Sequence, residues 1–514
     1  MIQDNQFNLT AFFLERLRTK VSAEKCIFQT SNNTVSLKLL ENSVKKLSSQ
    51  LIKYVSKNDS VILLLNDSPD LIFSFLSIIA VGGIPICLNP KLSNERISHI
   101  LSNSASKVIV CENDLTEELT ESFNEVTILQ RGKSKNDKCF SVSQLIANGN
   151  NSWQEYCFKS ADDLCVLQYT SGSTGVPKGV MHSAMGILSF CEIFAGNHLR
   201  ISPQDILYSA PKIFFGYGMG NSLFFPLYCG ATAILDEKWP QVDFILENLK
   251  MFSPSIFFAV PTLLRALLKA DLKIEVLRNL RVLFSAGSPL TPTLYDKVAQ
   301  KWGKYVVDGV GATELGHVFL TNDINNPLAI SGAPLPGYQV EFVKNLQAAS
   351  KKVKEGELFV KGPSVAMGYL NNDKETSLKF CNGGYHTGDV FRQLDDGNYE
   401  YLGRTDDHFK SKGQWVIPIV LENLVLEEFE YLSEVALVGS YIDGEVTPTL
   451  YVTLSSQELN EDQIRAQLKA FFKNNFDSHC RPQKIIFMNK FPKNENGKLK
   501  RKELELNFLE KVPQ

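Results

Sequence analysis

The chain shows no excess of either charge: 53 Lys and Arg against 56 Asp and Glu give a formal net charge of −3 over 514 residues. Such a balance gives no general attraction to nucleic acid or to an anionic lipid surface. None of the ten cysteines forms a CxxC pair, and Cys157 and Cys165, the nearest in sequence, stand too far apart for a zinc knuckle. Reduced core cysteines in a cytoplasmic protein are therefore expected. A G-x-x-x-x-G-K-[ST] nucleotide loop is absent. So is any repeat of roughly 20–50 residues, which sets aside solenoids and propellers. The opening stretch MIQDNQFNLTAFFLERLRTK carries charges where a secretory signal needs apolar residues. Apolar residues at 44% and charged residues at 21% are ordinary globular usage and exclude a disordered tail, a collagen-like rod and a coiled coil. The length suggests about three domain-sized units.

One charge-free run, LIFSFLSIIAVGGIPICLNP at 71–90, is long enough to raise the question of a membrane span. Gly82, Gly83 and Pro85 interrupt it, and Ser74 and Ser77 lie in its first half. Upstream, VILLL at 61–65 reads as a buried strand that stops at the turn residues Asn66-Asp67-Ser68-Pro69. Strand, helix, Gly-Gly turn and strand make a βαβ crossover, and no membrane partner is expected.

Strand-like and helix-like segments alternate for about 400 residues, as layered α/β architecture requires. Examples are KVIV at 107–110, ATAIL at 231–235, SIFFAV at 255–260 and RVLFS at 281–285. Near Gly403-Arg404-Thr405-Asp406-Asp407 strand and turn signals crowd together and a compact α+β tail follows. The expected fold class is α/β, with a large domain of layered mixed sheets and flanking helices over 1–403 and a small mobile α+β domain over 404–514.

The densest chemical signal is YTSGSTGVPKG at 169–179, which follows the strand-like CVLQ at 165–168. Glycines let backbone N–H groups approach phosphate oxygens, hydroxyls add donors, and Lys178 adds positive charge. A flexible linker would have no use for Pro177-Lys178 after the glycines. Further motifs follow along the chain: FSAGSPL at 284–290, GVGATE at 309–314, YHTGD at 385–389, GRTDD at 403–407 and NGKL at 496–499. In this order the set resembles the adenylate-forming superfamily, which includes acyl-CoA synthetases, luciferases and peptide-synthetase adenylation domains. The resemblance covers the chain from about Val61 onward. FFGYGMGNSLFFP at 214–226 and GATELGHVFLTN at 311–322 narrow it to arylcarboxylate–CoA ligases, the benzoate and anthranilate ligases among them.

The resemblance implies an AMP-forming aryl acid–CoA ligase with ATP, Mg²⁺ and coenzyme A. A carboxylate attacking the α-phosphate brings like charges together, so catalysis must be largely electrostatic. Catalytic roles fall on Lys498, Thr313, Glu314 and Lys178, with Glu314 also the metal ligand, since Mg²⁺ favours hard oxygen donors. The nucleotide is expected on Thr170, Ser171, Gly172, Ser173, Thr174 and Gly175, on Ser285, Ala286, Gly287 and Ser288, and on Asp308, Gly309, Gly311, Ala312 and Thr313. Tyr385, Asp389 and Arg404 complete that set, Asp389 accepting the ribose hydroxyls. The aryl slot is expected from Tyr169, Phe215, Gly216, Tyr217, Ala286, Gly287, Gly311, Gly316 and His317, with His317 meeting the acid's carboxylate and Gly316 leaving room for a ring. Asp406 matches the hinge, and Lys410, Lys412 and Gly413 a path for the CoA thiol.

Each assignment competes with a plainer one. Asp389 alone would be a turn carboxylate, Lys498 a solvated basic tail, Phe214 and Phe215 core residues, and His317 a satisfied structural histidine. The family's P-x-E-V-E reads PIVLE at 418–422, so its first acid is Val420, while Glu422 remains. A homodimer and a downstream ketosynthase-type or carrier-protein partner are further expectations. Two other functions stay open: an adenylating enzyme that loads a carrier protein in trans, and a non-catalytic nucleotide-binding paralogue.

Overall fold

A computed structural model describes residues 6–132, 140–171, 176–270, 272–344, 354–442, 444–456, 459–493 and 499–510. The chain forms two compact units, Met1–Val340 with Val360–Tyr385, and Glu341–Phe359 with His386–Gln514. The expected break at 403/404 falls inside the second unit, because the strand Tyr399–Arg404 pairs with residues 389–393 of the strand Gly384–Gln393.

Two large sheets organise the first unit. In the seven-stranded sheet the order is Phe140–Ser141, Thr127–Gln130, Val108–Cys111, Ser60–Leu64, Ile84–Cys87, Leu164–Ser171 and Pro177–Ser183. Its pairs are parallel except the last, a hairpin. The apolar runs of Ser60–Leu64, Ile84–Cys87 and Val108–Cys111 are buried throughout, as strands covered on both faces must be.

The charge-free run is a crossover, as expected. Ser68 caps the helix Pro69–Ala80 by accepting from the Leu71 amide, and every residue from Leu71 to Ala80 is buried. Gly82 then turns the chain at φ +88°, and Ile84–Cys87 returns parallel to Ser60–Leu64. Total burial on both faces explains the lack of charge. Among the described residues no helix is long and apolar enough to cross a membrane, and no disulfide is formed.

The nine-stranded sheet runs Ala333–Pro334, Val318–Thr321, Val306–Gly311, Val282–Ala286, Ile256–Ala259, Ile206–Ser209, Thr232–Ile234, Cys26–Gln29 and Thr34–Ser36. From Val306–Gly311 to Cys26–Gln29 its pairs are parallel. The carboxyl ends of these strands therefore share one edge, and the GVGATE, FSAGSPL and FFGYG segments leave the sheet there. That edge is where open α/β sheets bind ligands.

In the second unit, the helices Pro418–Glu428 and Glu461–Asn475 pack on the sheet Leu432–Ile442, Glu445–Leu454 and Lys484–Phe487, burying Leu421, Val425, Leu437, Leu450 and Leu468. Glu422 lies inside this unit. Its carboxylate accepts the Leu437 amide at 2.7 Å and both Nη atoms of Arg501 at 2.6 Å. Val420 is exposed, so losing an acid there leaves no buried partner stranded.

Candidate active site

Strand alternation sorts the first motif. Along Leu164–Ser171 successive side chains point to opposite faces. Leu167 and Tyr169 enter the core around Ile86, Ile97 and Ile100, whereas Val166 and Gln168 face a small cavity. Tyr169, expected at the aryl slot, instead donates its hydroxyl to Asn103 Oδ1 at 2.6 Å, and its ring fills the space beside Gly179. Thr170 and Lys178 are directly paired across the hairpin. Gly172, Ser173, Thr174 and Gly175 lie outside the described residues.

Lys178 reaches its partners through the hairpin's second strand. Its Nζ lies 2.7 Å from Glu375 Oε1 and 5.4 Å from the centre of the Tyr369 ring. The Tyr369 hydroxyl donates to Glu314 Oε1 at 2.8 Å. Lys178, Tyr369 and Glu314 thus form one polar chain that ends on the expected metal ligand. Burial and the Glu314 charge push the Tyr369 hydroxyl above its ordinary range, so it stays protonated and able to donate. Glu314 sits in the short turn Thr313–Leu315, held by the Ala366 amide on its carbonyl at 2.9 Å. Among the described residues its second oxygen, Oε2, has no partner. One open carboxylate oxygen suits Mg²⁺, which takes one or two carboxylates and fills its shell with phosphate oxygens and water.

Ser285 and Asp308 are neighbours across the parallel pair of Val282–Ala286 and Val306–Gly311. Both are buried, and Ser285 Oγ and Asp308 Oδ1 have no partner among the described residues. Burial holds the Asp308 carboxyl well above the ordinary carboxylate range. Two unsatisfied polar atoms side by side at the carboxyl edge of a parallel sheet are what a hydrogen-bonding ligand would complete. Gly287, at φ +88°, and Ser288 follow in an exposed turn.

The cavity between the hairpin and the FFGYG segment is lined by Val166, Gln168, His182, Ile187, Phe190, Gly216, Met219, Phe224 and Gly316. Gly216 and Gly316 were expected there; Gln168, His182, Phe190 and Met219 were not. The period of two in CVLQY could have exposed Gln168, since it is the polar residue on the face opposite Leu167. Phe215 and Phe214 are half-buried, with ring centres 4.5 Å apart. The Tyr217 hydroxyl reaches the Phe284 carbonyl at 3.4 Å. Ala286 is buried at the end of its strand, and a side chain on Gly311 would strike the His317 carbonyl.

Two expectations are corrected here. Gly316 leaves no empty place for a ring, because a Cβ on it would lie 2.8 Å from Phe190 Cδ1. In its neutral form His317 has no second hydrogen to give a carboxylate, and its Nδ1 is buried without a partner among the described residues. Its Nε2 lies 3.2 Å from the Tyr217 carbonyl, which can only accept, so the ring proton is on Nε2 and already used. Phe190, Phe194, Tyr217 and Phe225 surround the imidazole at centre distances of 5.7, 5.1, 5.7 and 4.8 Å. Burial lowers its pKa to about 3, so it is neutral.

The second unit carries its own cluster. Asp389 and Arg404 are paired across two strands, and Arg404 Nη1 lies 3.1 Å from Asp389 Oδ1 and 2.9 Å from the Thr387 carbonyl. Gly388, at φ +70°, admits the guanidinium, since a Cβ there would meet it at 2.8 Å. Asp406 is exposed in the turn Thr405–Asp407. Lys410, Lys412 and Gly413 are exposed on the hairpin of Phe409–Ser411 and Gln414–Val416, whose turn takes Lys412 and Gly413 at positive φ. Tyr385 is buried in the first unit beside Phe380. Lys498 lies outside the described residues.

Residues 14–370 match the model of the AMP-binding enzyme family, and residues 422–498 that of the AMP-binding enzyme C-terminal domain. The chain is 37% identical over 492 residues to an anthranilate–CoA ligase of Pseudomonas aeruginosa, covering 95% of this chain and 94% of that one. It is 33% identical over 451 residues to a benzoate–CoA ligase of Thauera aromatica, covering 86% and 85% of the two chains. Among solved structures, an anthranilate CoA ligase in complex with anthranoyl-AMP superposes with a TM-score of 0.90 at 25% identity, covering 98% of this chain and 97% of that one. A benzoate CoA ligase from Burkholderia xenovorans LB400 gives 0.88 at 28%, covering 97% and 100%.

Proposed function

The chain belongs to the AMP-binding enzyme family, and from that membership we propose that it is an AMP-forming aryl acid–CoA ligase acting on anthranilate- or benzoate-type acids. The observation that carries the reading is the adjacency of two unlike surfaces. The polar chain Lys178–Tyr369–Glu314 adjoins Thr313, and Thr313 Oγ1 stands 3.7 Å from the position of a Cβ on Gly216, at the wall of a small, mostly apolar cavity. An aromatic carboxylate needs both surfaces: an apolar slot for the ring, and cationic and donor groups where its oxygen meets phosphate.

In this reading ATP lies along the carboxyl edge of the nine-stranded sheet, with its base against 285–288 and Asp308, and the motif residues 170–175 are assigned to its phosphates. Lys178 leaves Glu375 for a phosphate oxygen, and Thr313 orients the α-phosphate. Glu314, kept in place by Tyr369, would hold Mg²⁺, which neutralises phosphate charge when bound. Asp389 and Arg404 hold the ribose. Lys498 serves the adenylation step, and the 410–413 turn is the place where the CoA thiol enters. The aryl ring rests among Phe215, Gly216, Tyr217, Ala286, Gly287 and Gly311, with Gly316 and His317 as the packed wall behind it.

The test is a panel of aryl acids with ATP, Mg²⁺ and CoA. Pyrophosphate release followed by an aryl-CoA of the expected mass supports the assignment. Pyrophosphate release with no thioester from free CoA would shift it to a carrier-loading adenylating enzyme. No release with any aryl acid would refute both.

A further inference from the structure

We propose that Gln168 selects acids that carry an amino group ortho to the carboxylate: Met219 turns the Gln168 amide so that a bare carbonyl oxygen faces the slot beside Gly216. The inference rests on the aryl-acid reading above and deepens it.

Gln168 is 6% exposed, and its Nε2 lies 3.0 Å from Met219 Sδ. A thioether sulfur has no hydrogen, so only the NH₂ end of the amide can face it favourably. The other end, Oε1, has no partner among the described residues. A buried acceptor left open inside an apolar lining marks a place for a ligand's donor. The position of a Cβ on Gly216 lies 3.2 Å from Gln168 Oε1 and 3.7 Å from Thr313 Oγ1. Thr313 Oγ1 is the hydroxyl assigned above to the α-phosphate, which the acid's carboxylate attacks, so the open acceptor lies near the reacting carboxylate and a substituent beside that carboxylate is the one within reach. His182, 4% exposed with Nε2 unpartnered, is a second polar point in the same lining.

Chemistry then chooses the substituent. An ortho hydroxyl has one hydrogen, which its own carboxylate takes. An ortho fluorine presents lone pairs to an oxygen that needs a hydrogen. An ortho amino group has two hydrogens, one for its own carboxylate and one for Gln168 Oε1. A 2-aminobenzoate is thus the acid that completes the site.

The experiment is ATP–pyrophosphate exchange, which reads adenylation alone, with benzoate and its 2-amino, 2-hydroxy, 2-fluoro and 4-amino derivatives. The full-length protein should favour 2-aminobenzoate in kcat/KM over each of the others by about tenfold or more, as expected where a site hydrogen-bonds a substrate N–H. In Gln168→Leu the ratio of 2-aminobenzoate to benzoate should fall to within about threefold of unity. Exchange with 2-aminobenzoate and benzoate at equal efficiency in the unmodified enzyme would overturn the proposal, whatever the variant's fold. A preference that survives in Gln168→Leu would also overturn it, because the amino group would then be read elsewhere. In both cases the aryl-acid reading stands. Exchange with none of the five acids would overturn both.

Discussion

Replacing His317 by alanine should cost the protein stability before it costs substrate recognition. The imidazole is a fully enclosed ring between Phe190, Phe194, Tyr217 and Phe225. Truncating a buried ring removes ~3–5 kcal/mol, and an imidazole, smaller than a phenyl, belongs near the lower end. Little collapse can soften the loss, because one wall is the backbone at Gly220, where a Cβ would lie only 2.4 Å from His317 Cδ2. Losing the Nε2–H donation to the Tyr217 carbonyl adds ~1 kcal/mol. Together these amount to roughly 3–5 kcal/mol, or on the order of 4–7 °C in Tm for a unit of this size. His317→Gln keeps a donor within reach of the Tyr217 carbonyl and should recover about half of that loss. Thermal unfolding and separate KM values for ATP and the aryl acid test this. The expected outcome is that His317→Ala loses stability and active fraction together, while His317→Gln holds both KM values within about threefold. If His317→Gln is as stable as the parent, yet its acid KM rises tenfold (about 1.4 kcal/mol) with ATP unaffected, His317 touches the acid and the packing argument is refuted.

Tyr369→Phe keeps the ring beside Lys178 but removes the 2.8 Å donation to Glu314. Pyrophosphate release should drop by about ten- to a hundredfold, with a higher Mg²⁺ requirement, and unchanged Mg²⁺ dependence would detach Tyr369 from the metal ligand. Lys498→Ala, in the adenylation role proposed above, should lose adenylate formation by ~3–4 kcal/mol in the barrier while sparing thioester formation from supplied aryl-adenylate; equal loss of both half-reactions argues against two conformations. His182 and His317 are buried, and desolvation lowers their pKa values to about 4 and about 3 from 6.5. Their unfolded forms take up protons first as pH falls below 6.5. Their contribution, present above that pH, should be lost by up to ~1.4 kcal/mol per histidine per pH unit down to about 4. Unfolding measured between pH 7 and 4 in the parent and in His182→Asn should show a shallower slope in the variant, and identical slopes would mean that His182 titrates normally when folded.

The chain's own order of residues determined a good deal. Period, punctuation and residue type make the 61–87 stretch a crossover, because VILLL, a Ser-Pro helix start and a Gly-Gly turn leave no other economical path. The motif run from 169 to 499 likewise carries its chemistry in sequence, since glycines, hydroxyls and a lysine at close spacing need only a local turn to meet phosphate. Local readings failed where a side chain's role depends on which face of an element it takes and on distant partners. Tyr169 and Gln168 are adjacent, yet the pleat sends one into a core and the other to the slot. Tyr369 meets Glu314 and Glu375 meets Lys178 only because the segment Val360–Tyr385 belongs to the first unit, far in sequence from the partners it meets there. His317 looked like a donor because imidazole has one to give. Only the approach of the Tyr217 carbonyl decided that it was already spent, since tautomer and burial belong to the packed state and leave no mark on the order of residues.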